Sequence, residues 1–335
     1  MKRDEEVEEA ATKQANPPPL SRPPPRVTGL FVYPIKSCGG MALTTATLGP
    51  FGIEGDRTWM VVNSRGRFQS QRNIPRLALV KPQIIRESKW DSSSRITGVR
   101  LFGRGETPAL DVPILKKKTL NVSVWDDKII SYDQGDDAAS WFDSFLGKKG
   151  CRLVYVHEDA RRPIGDDEKY AVRKGKDMVA FSDGYPLLLA SEESLEMLNA
   201  RLGDDKAVPM NRFRPNIVVR GCRAHDEDRW KRFVVGKNVE MRGVKKCSRC
   251  KMPSTDQLTA KQEGFAGEPL KTLLEYRSGT FKRTEKNIYF GQNVVHVRPE
   301  ERPWWFDMLH PWTRPQRISL GDAIAIHETG HVPED

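Results

Sequence analysis

The chain of 335 residues predicts a β-rich α+β fold, with barrel-like sheets and helices packed outside them. Three observations predict it. Short apolar or alternating runs recur along the chain, bounded by Gly, Pro, Asn and Asp. Helical spacing of apolar residues appears in only a few segments, which places helices on the outside of a strand framework. The composition, 38% hydrophobic and 30% charged, is that of a soluble globular chain.

The elements follow in order. Residues 1–25 hold an acidic stretch and then NPPPLSRPPPR. The prolines favour an extended conformation, and a disordered arm is expected. A strand at 27–33 is broken by Pro34. RTWMVVN (57–63) reads as a strand that SRG turns back. RLALVKPQII and GVRLFG continue the strand-and-turn rhythm. TLNVSVWDDKIISYD predicts a hairpin with Asp126-Asp127 at its turn. DDAASWFDSFLG is the first helix, with Asp136 placed to cap it, one face formed by Ala138, Trp141, Phe142 and Phe145, and Gly147 at its end.

CRLVYVH opens a second β-rich block. In PLLLASEESLEMLNARLG a buried strand runs into a helix opened by Ser191, with Glu192 and Glu193 in its first turn. Strands follow at RFRPNIVVRG, RFVVG, VEMRGV and IYFGQNVVHV, and EPLKTLLEYR (268–277) forms a helix with proline in its first turn. ISLGDAIAIH closes the chain around a Gly-Asp turn. The charged stretch HEDARRPIGDDEKYAVRKGKD marks the boundary region, so the expected domains are 26–150 and 151–330.

Composition excludes several classes. No run of about 18 apolar residues appears, so no transmembrane segment is expected. The N-terminus resembles neither a secretory signal nor a transit peptide. Five cysteines at irregular spacing do not make a disulfide framework. The net charge of +10 favours anionic partners. Its basic residues are scattered rather than massed, which argues against nucleic acid.

CSRCKMPSTD (247–256) raises the chemical question. A zinc ribbon needs four ligands, and Cys38, Cys151 and Cys222 stand alone. A redox dithiol needs the pair at a helix N-terminus, whereas Pro253 and the Ser-Thr-Asp that follows predict a turn. Two buried cysteines packing as small hydrophobes is the plainest alternative. The polar flanks KKCSRCK fit a fourth one, a thiolate that ligates a soft metal whose other ligands come from an anionic cofactor. Lys36 and Ser37 in YPIKSC, Arg57 in EGDRTW and Arg214 in RFRPN are strand-end groups able to hold such an anion.

YPIKSC, GDRTWMVV, SQRNIPRLALV, AFSDGYPLLLASEESLEMLN, NRFRPNIVVRGC, CSRCKMPSTD, EPLKTLLEYR and FGQNVV together, in this order, resemble the MOSC proteins, specifically the amidoxime reducing component family. The resemblance covers roughly residues 27–328. It implies a MOSC N-terminal β-barrel-like domain followed by a MOSC β-barrel domain with peripheral helices. It also implies a molybdenum cofactor, Mo-molybdopterin, with Cys250 as the metal ligand. Lys36, Ser37, Arg57, Asp183, Arg214, Cys247 and Ser248 would contact the pterin or its phosphate. Asp256 takes the family's acidic position after the cysteine, as a second-layer or proton-delivery group. Gly184-Tyr185 and Asn293 depart from the family pattern and bear on substrate range. An aromatic insert at 298–317 is read either as a loop packing on its own domain or as a docking surface.

The implied function is a reductase of N-hydroxylated compounds, amidoximes and hydroxylamines, with nitrite as a further acceptor. Electrons would come from NADH through cytochrome b5 reductase and cytochrome b5. The alternatives are a cofactor carrier, a sulfurase-like protein, for whose pyridoxal-dependent domain the chain lacks room, and a zinc-stabilised nucleic-acid binder. Family members often sit at the mitochondrial outer membrane; the acidic, Pro-rich start of this chain predicts a cytoplasmic protein.

Overall fold

The strand Arg26–Val32 organises the molecule, because it carries apolar residues into one barrel and delivers Lys36 to the site. A computed structural model describes residues 23–88, 90–91, 94–105, 107–165, 167–281, 285–297 and 316–330. The arm up to residue 22 and the insert from 298 to 315 lie outside the described residues.

Nine strands form the largest sheet among the described residues. Ile324–Thr329, Trp230–Val235, Val239–Ser248, Glu285–His296, Leu187–Ser191, Ile217–Arg220, Arg26–Val32 and Met41–Leu43 run in that order, and Ser278–Phe281 pairs beside Glu285–His296. Leu187–Ser191 and Ile217–Arg220 are parallel. Between them in sequence lies the helix Glu192–Leu202, whose Ser191 cap accepts a hydrogen bond from the Ser194 amide. The sheet curls back on itself, since Arg26 bridges to Ala323 and the Val27 amide donates to the Asp322 carbonyl at 2.9 Å. Its interior is filled by Val27, Leu30, Leu189, Ile217, Phe233 and Val294. LLLAS is buried at every position, which explains its unbroken apolar run.

A four-stranded sheet orders Trp59–Val62, Arg152–Val156, Asp127–Asp133 and Thr119–Val124. A three-stranded sheet holds Lys81–Arg86, Ile96–Phe102 and Leu110–Pro113. The helix Asp136–Leu146 covers their shared core with Ala138, Phe142 and Phe145. The halves interlock. Arg26–Val32 pairs with Ile217–Arg220, and Thr45–Gly49 pairs with Arg317–Ser319.

Three local expectations are corrected. The hairpin turn is Trp125-Asp126, one residue earlier than read, since Asp127 already pairs with Val124; Trp125 supplies the left-handed backbone with φ 55°. PRLAL (75–79) is a 3₁₀ turn opened by Pro75, and the strand begins only at Lys81. Gly135 is the N-cap of Asp136–Leu146, while Asp136 stands in the first turn and binds Arg152 at 2.6 Å.

Candidate functional site

A cavity of about 490 Å³ opens where loops of both halves meet. Strand ends deliver its groups. Lys36 and Ser37 follow the strand Arg26–Val32, with the Lys36 amide donating to the Trp59 carbonyl at 2.8 Å. Arg57 precedes Trp59–Val62, and Arg214 precedes Ile217–Arg220. Val239–Ser248 breaks register twice, between Gly243 and Lys245 and between Lys246 and Ser248. Such bulges re-aim side chains, and Lys245, Cys247 and Ser248 all line the cavity.

The backbone here is unusual. Six described non-glycine residues take the left-handed conformation, and four of them, Ser37, Arg57, Trp125 and Arg214, line this one cavity. Strain of this kind persists only where the surroundings over-determine it, and it clusters at functional sites.

Seven cationic side chains line the cavity against one carboxylate, Asp183. Lys36 is buried, and its ammonium donates to Asp183 at 2.5 Å and to the Phe181 carbonyl at 2.7 Å. Burial lowers its pKa to about 8, although Asp183 opposes the shift. Burial alone would raise the Asp183 carboxyl; the charges of Lys36 and Arg72 and the hydrogen bonds from Lys36 and Trp125 hold it well below the usual carboxylate range. Its side chain is nevertheless 54% exposed, and it lines the cavity.

Arg57 and Arg214 lie over the Tyr33 ring at 4.6 and 4.2 Å. Arg57 also binds the fully buried Asp56 at 2.5 Å and Asn216 at 2.9 Å. Burial pushes the Arg214 guanidinium down to about 10. One nitrogen of Arg214 and one of Arg249 are buried and make no hydrogen bond among the described residues. Both residues line the cavity. Buried donors of this type are costly unless an acceptor meets them.

Cys250 presents its sulfur to Arg72, whose guanidinium donates to it at 3.2 Å. Cys247 lines the same cavity, and burial raises its thiol pKa. All five cysteines are free thiols. Among the described residues no group of three or more His, Cys, Asp or Glu could hold a metal ion. Among the described residues the zinc-ribbon alternative lacks its ligand set, and a metal on Cys250 would need ligands from outside these side chains.

Of the residues read from sequence, Lys36, Ser37, Arg57, Asp183, Arg214, Cys247, Ser248 and Cys250 converge here. Asp256 does not line this cavity. One of its oxygens accepts from Arg212 at 2.8 Å, the other from the Leu258 and Thr259 amides and the Thr259 hydroxyl. Burial opposes ionisation, but those hydrogen bonds and the Arg212 charge keep its carboxyl low. This geometry fits the second-layer part of the reading, a group that positions Arg212, which does line the cavity. Sequence reading missed Arg72, Trp125, Arg212 and Arg249. SQRNIP and VWDD carry two of them, yet nothing in those segments shows which way they fold.

The MOSC N-terminal beta barrel domain matches residues 24–149, and the MOSC domain matches residues 176–325. Fold and site thus define a two-domain MOSC protein. Mitochondrial amidoxime-reducing component 1 of Mus musculus is 36% identical over 75% of this chain and 71% of its own length. The Homo sapiens component 1 is 34% identical over 82% of this chain and 79% of its own. Molybdenum cofactor sulfurase of Danio rerio is 31% identical over 81% of this chain, which spans 32% of that longer protein. The chain belongs to the amidoxime reducing component family of MOSC proteins. Among the described residues no helix is long and apolar enough to cross a membrane.

Proposed function

We propose that this chain is a molybdenum-cofactor-dependent reductase of N-hydroxylated compounds, amidoximes and hydroxylamines. The observation that carries the reading is the Cys250 sulfur, held by Arg72 inside a cavity whose buried guanidinium nitrogens on Arg214 and Arg249 await an acceptor. The residues fit the group. Lys36, Ser37, Arg57 and Arg214 would hold its phosphate, and Asp183 would accept from the aminopterin N–H groups. Cys247 and Ser248 would line the pterin, and Cys250 would ligate the metal.

When bound, the cofactor supplies two-electron redox chemistry. Reduction of a hydroxylamine consumes two electrons and two protons and releases the amine and water. The chain's own part is to place and to exclude. Arg72 fixes the sulfur, the cavity's mixed wall takes the organic body of the substrate, and the Lys36 ammonium, with a pKa of about 8, holds a proton at Nζ beside Asp183. Nitrite is a small enough further acceptor. The electron donors proposed are cytochrome b5 and cytochrome b5 reductase. The likeness to a molybdenum cofactor sulfurase favours one second reading, a protein that binds or hands on the cofactor without reductase activity. A cytoplasmic location is proposed with it, and cell fractionation tests that.

The deciding measurement is molybdenum and pterin content of the purified protein beside Cys250→Ala, from cells that make the cofactor. Near one molybdenum per chain, lost in the variant, together with cytochrome-dependent hydroxylamine reduction, is expected. Cofactor without reduction leaves the carrier reading; neither metal nor pterin ends both.

A further inference from the structure

No sequence motif pointed to Arg72, and its surroundings are built to hold it. Its neighbour Gln71 is fully buried and trades amide hydrogen bonds with Gln257, at 3.1 and 3.0 Å in the two directions. Gln71 also donates to the Ser37 carbonyl at 2.8 Å, and its own carbonyl accepts from Gln262 at 2.9 Å. That network ties three segments together: the one carrying Arg72, the one carrying Ser37 and the one that follows Cys250. A fully satisfied buried polar network is rigid.

The guanidinium itself is placed from two sides. Its face lies on the Trp125 ring at 4.4 Å, and one nitrogen approaches Asp183 at 3.8 Å. Trp125 is in turn fixed by its indole N–H, which donates to Asp183 at 3.2 Å, and by the Phe68 ring at 5.1 Å. The left-handed backbone at Trp125 turns the hairpin tip onto this stack. What remains of the fork points at the Cys250 sulfur, 3.2 Å away.

We infer that Arg72, clamped by Trp125 and the Gln71–Gln257 pair, is a positioning residue that donates a charged hydrogen bond to the Cys250 sulfur and so sets the electron density that sulfur gives to a bound metal. This inference rests on the metal-ligand reading of Cys250. A hydrogen bond to a ligating sulfur withdraws electron density from it and raises the potential of the metal; removing the bond lowers it. Groups that orient a ligand in this way cost about 10- to 100-fold in metal affinity or activity when lost.

The test uses the cofactor-loaded full chain, with Arg72→Gln and Arg72→Lys beside the parent. Two quantities are read: molybdenum per chain after a chelator challenge, and the midpoint potential of the metal followed by electron paramagnetic resonance. Arg72→Gln should lose metal at least about tenfold faster and show a lower potential, and Arg72→Lys, which keeps the charge, should recover most of both. An Arg72→Gln protein that folds by circular dichroism but arrives without metal, while Arg72→Lys is loaded, also supports the role. Equal potentials in parent and Gln variant, or equal damage in Gln and Lys variants, overturn it. A parent with no molybdenum removes the metal-ligand reading and this role with it, whereas a loaded parent and an unchanged Gln variant remove the role alone.

Discussion

At Lys36, one buried ammonium meets one cavity-facing carboxylate, and the pKa of about 8 that results makes anion binding sensitive to mild alkali. The sign is direct. The ammonium attracts an anion only while charged, so affinity is full below about pH 8 and declines as pH rises through that value. Sulfate, which does not titrate there, should bind the cofactor-free protein more weakly at pH 9.5 than at pH 7 by calorimetry. Lys36→Arg should flatten that profile, and a flat profile in the parent removes Lys36 from the anion site. Lys36 and Cys250 were legible in the sequence because ordered motifs carry them. Arg72 and Arg249 were not, because an arginine in a strand-end segment is most often solvated, and only folding shows which of them faces inward. Asp256, read from its position as a second-layer or proton-delivery group, stands behind the wall and holds Arg212, which lines the cavity.

Among the elements, the strand Val239–Ser248 carries the most function per residue, and Gly243 is its weak point. A Cβ there would stand 2.0 Å from the Trp230 carbonyl oxygen and 2.2 Å from the Gln292 amide. Backbone cannot yield to that, so Gly243→Ala should lower stability by roughly 1–3 kcal/mol, read as an earlier urea midpoint; an unchanged midpoint would show that the strand shifts freely. A second element-level device sits at the start of the helix Glu192–Leu202. Glu227, fully buried, accepts from the Ser191 and Ser194 hydroxyls. Burial first and Asp228 second raise its carboxyl to about 7, against the partial opposition of those hydrogen bonds. A raised carboxyl stabilises below its unfolded value of 4.5, and that contribution is lost as pH rises through about 7. Denaturation midpoints should therefore fall between pH 5 and 8 more steeply in the parent than in Glu227→Gln, and matching slopes would refute the assignment. Element type was readable from apolar period and caps, as Ser191 shows. Register was not, because the turn at Trp125-Asp126 depends on a left-handed tryptophan that no propensity favours. Arg162 is similar. It stands in the charged stretch read as a boundary, yet it is buried and donates to the Ser182 and Asp183 carbonyls and to Asp127.

For the whole molecule, the net charge of +10 favours anionic partners through long-range steering, and this bears on the electron donor proposed above. Reduction of a hydroxylamine with cytochrome b5 as donor should slow sharply between low and high salt, because screening shortens to roughly 3 Å at 1 M; a salt-independent rate would rule out steered docking. The ends of the aromatic insert are already tied, since Gln316 donates to the Val297 carbonyl at 3.2 Å. The interlocking of the halves has a further effect on how the protein comes into being. The first strand needs Ile217–Arg220 beside it, and Thr45–Gly49 needs Arg317–Ser319. On the ribosome, where chains emerge N-terminus first, the early segments stay open-edged until nearly all of the described chain has been made. The cavity is lined from Lys36 to Asn293, so it cannot close until both halves have been made, and no early fragment of the chain can hold what fills it.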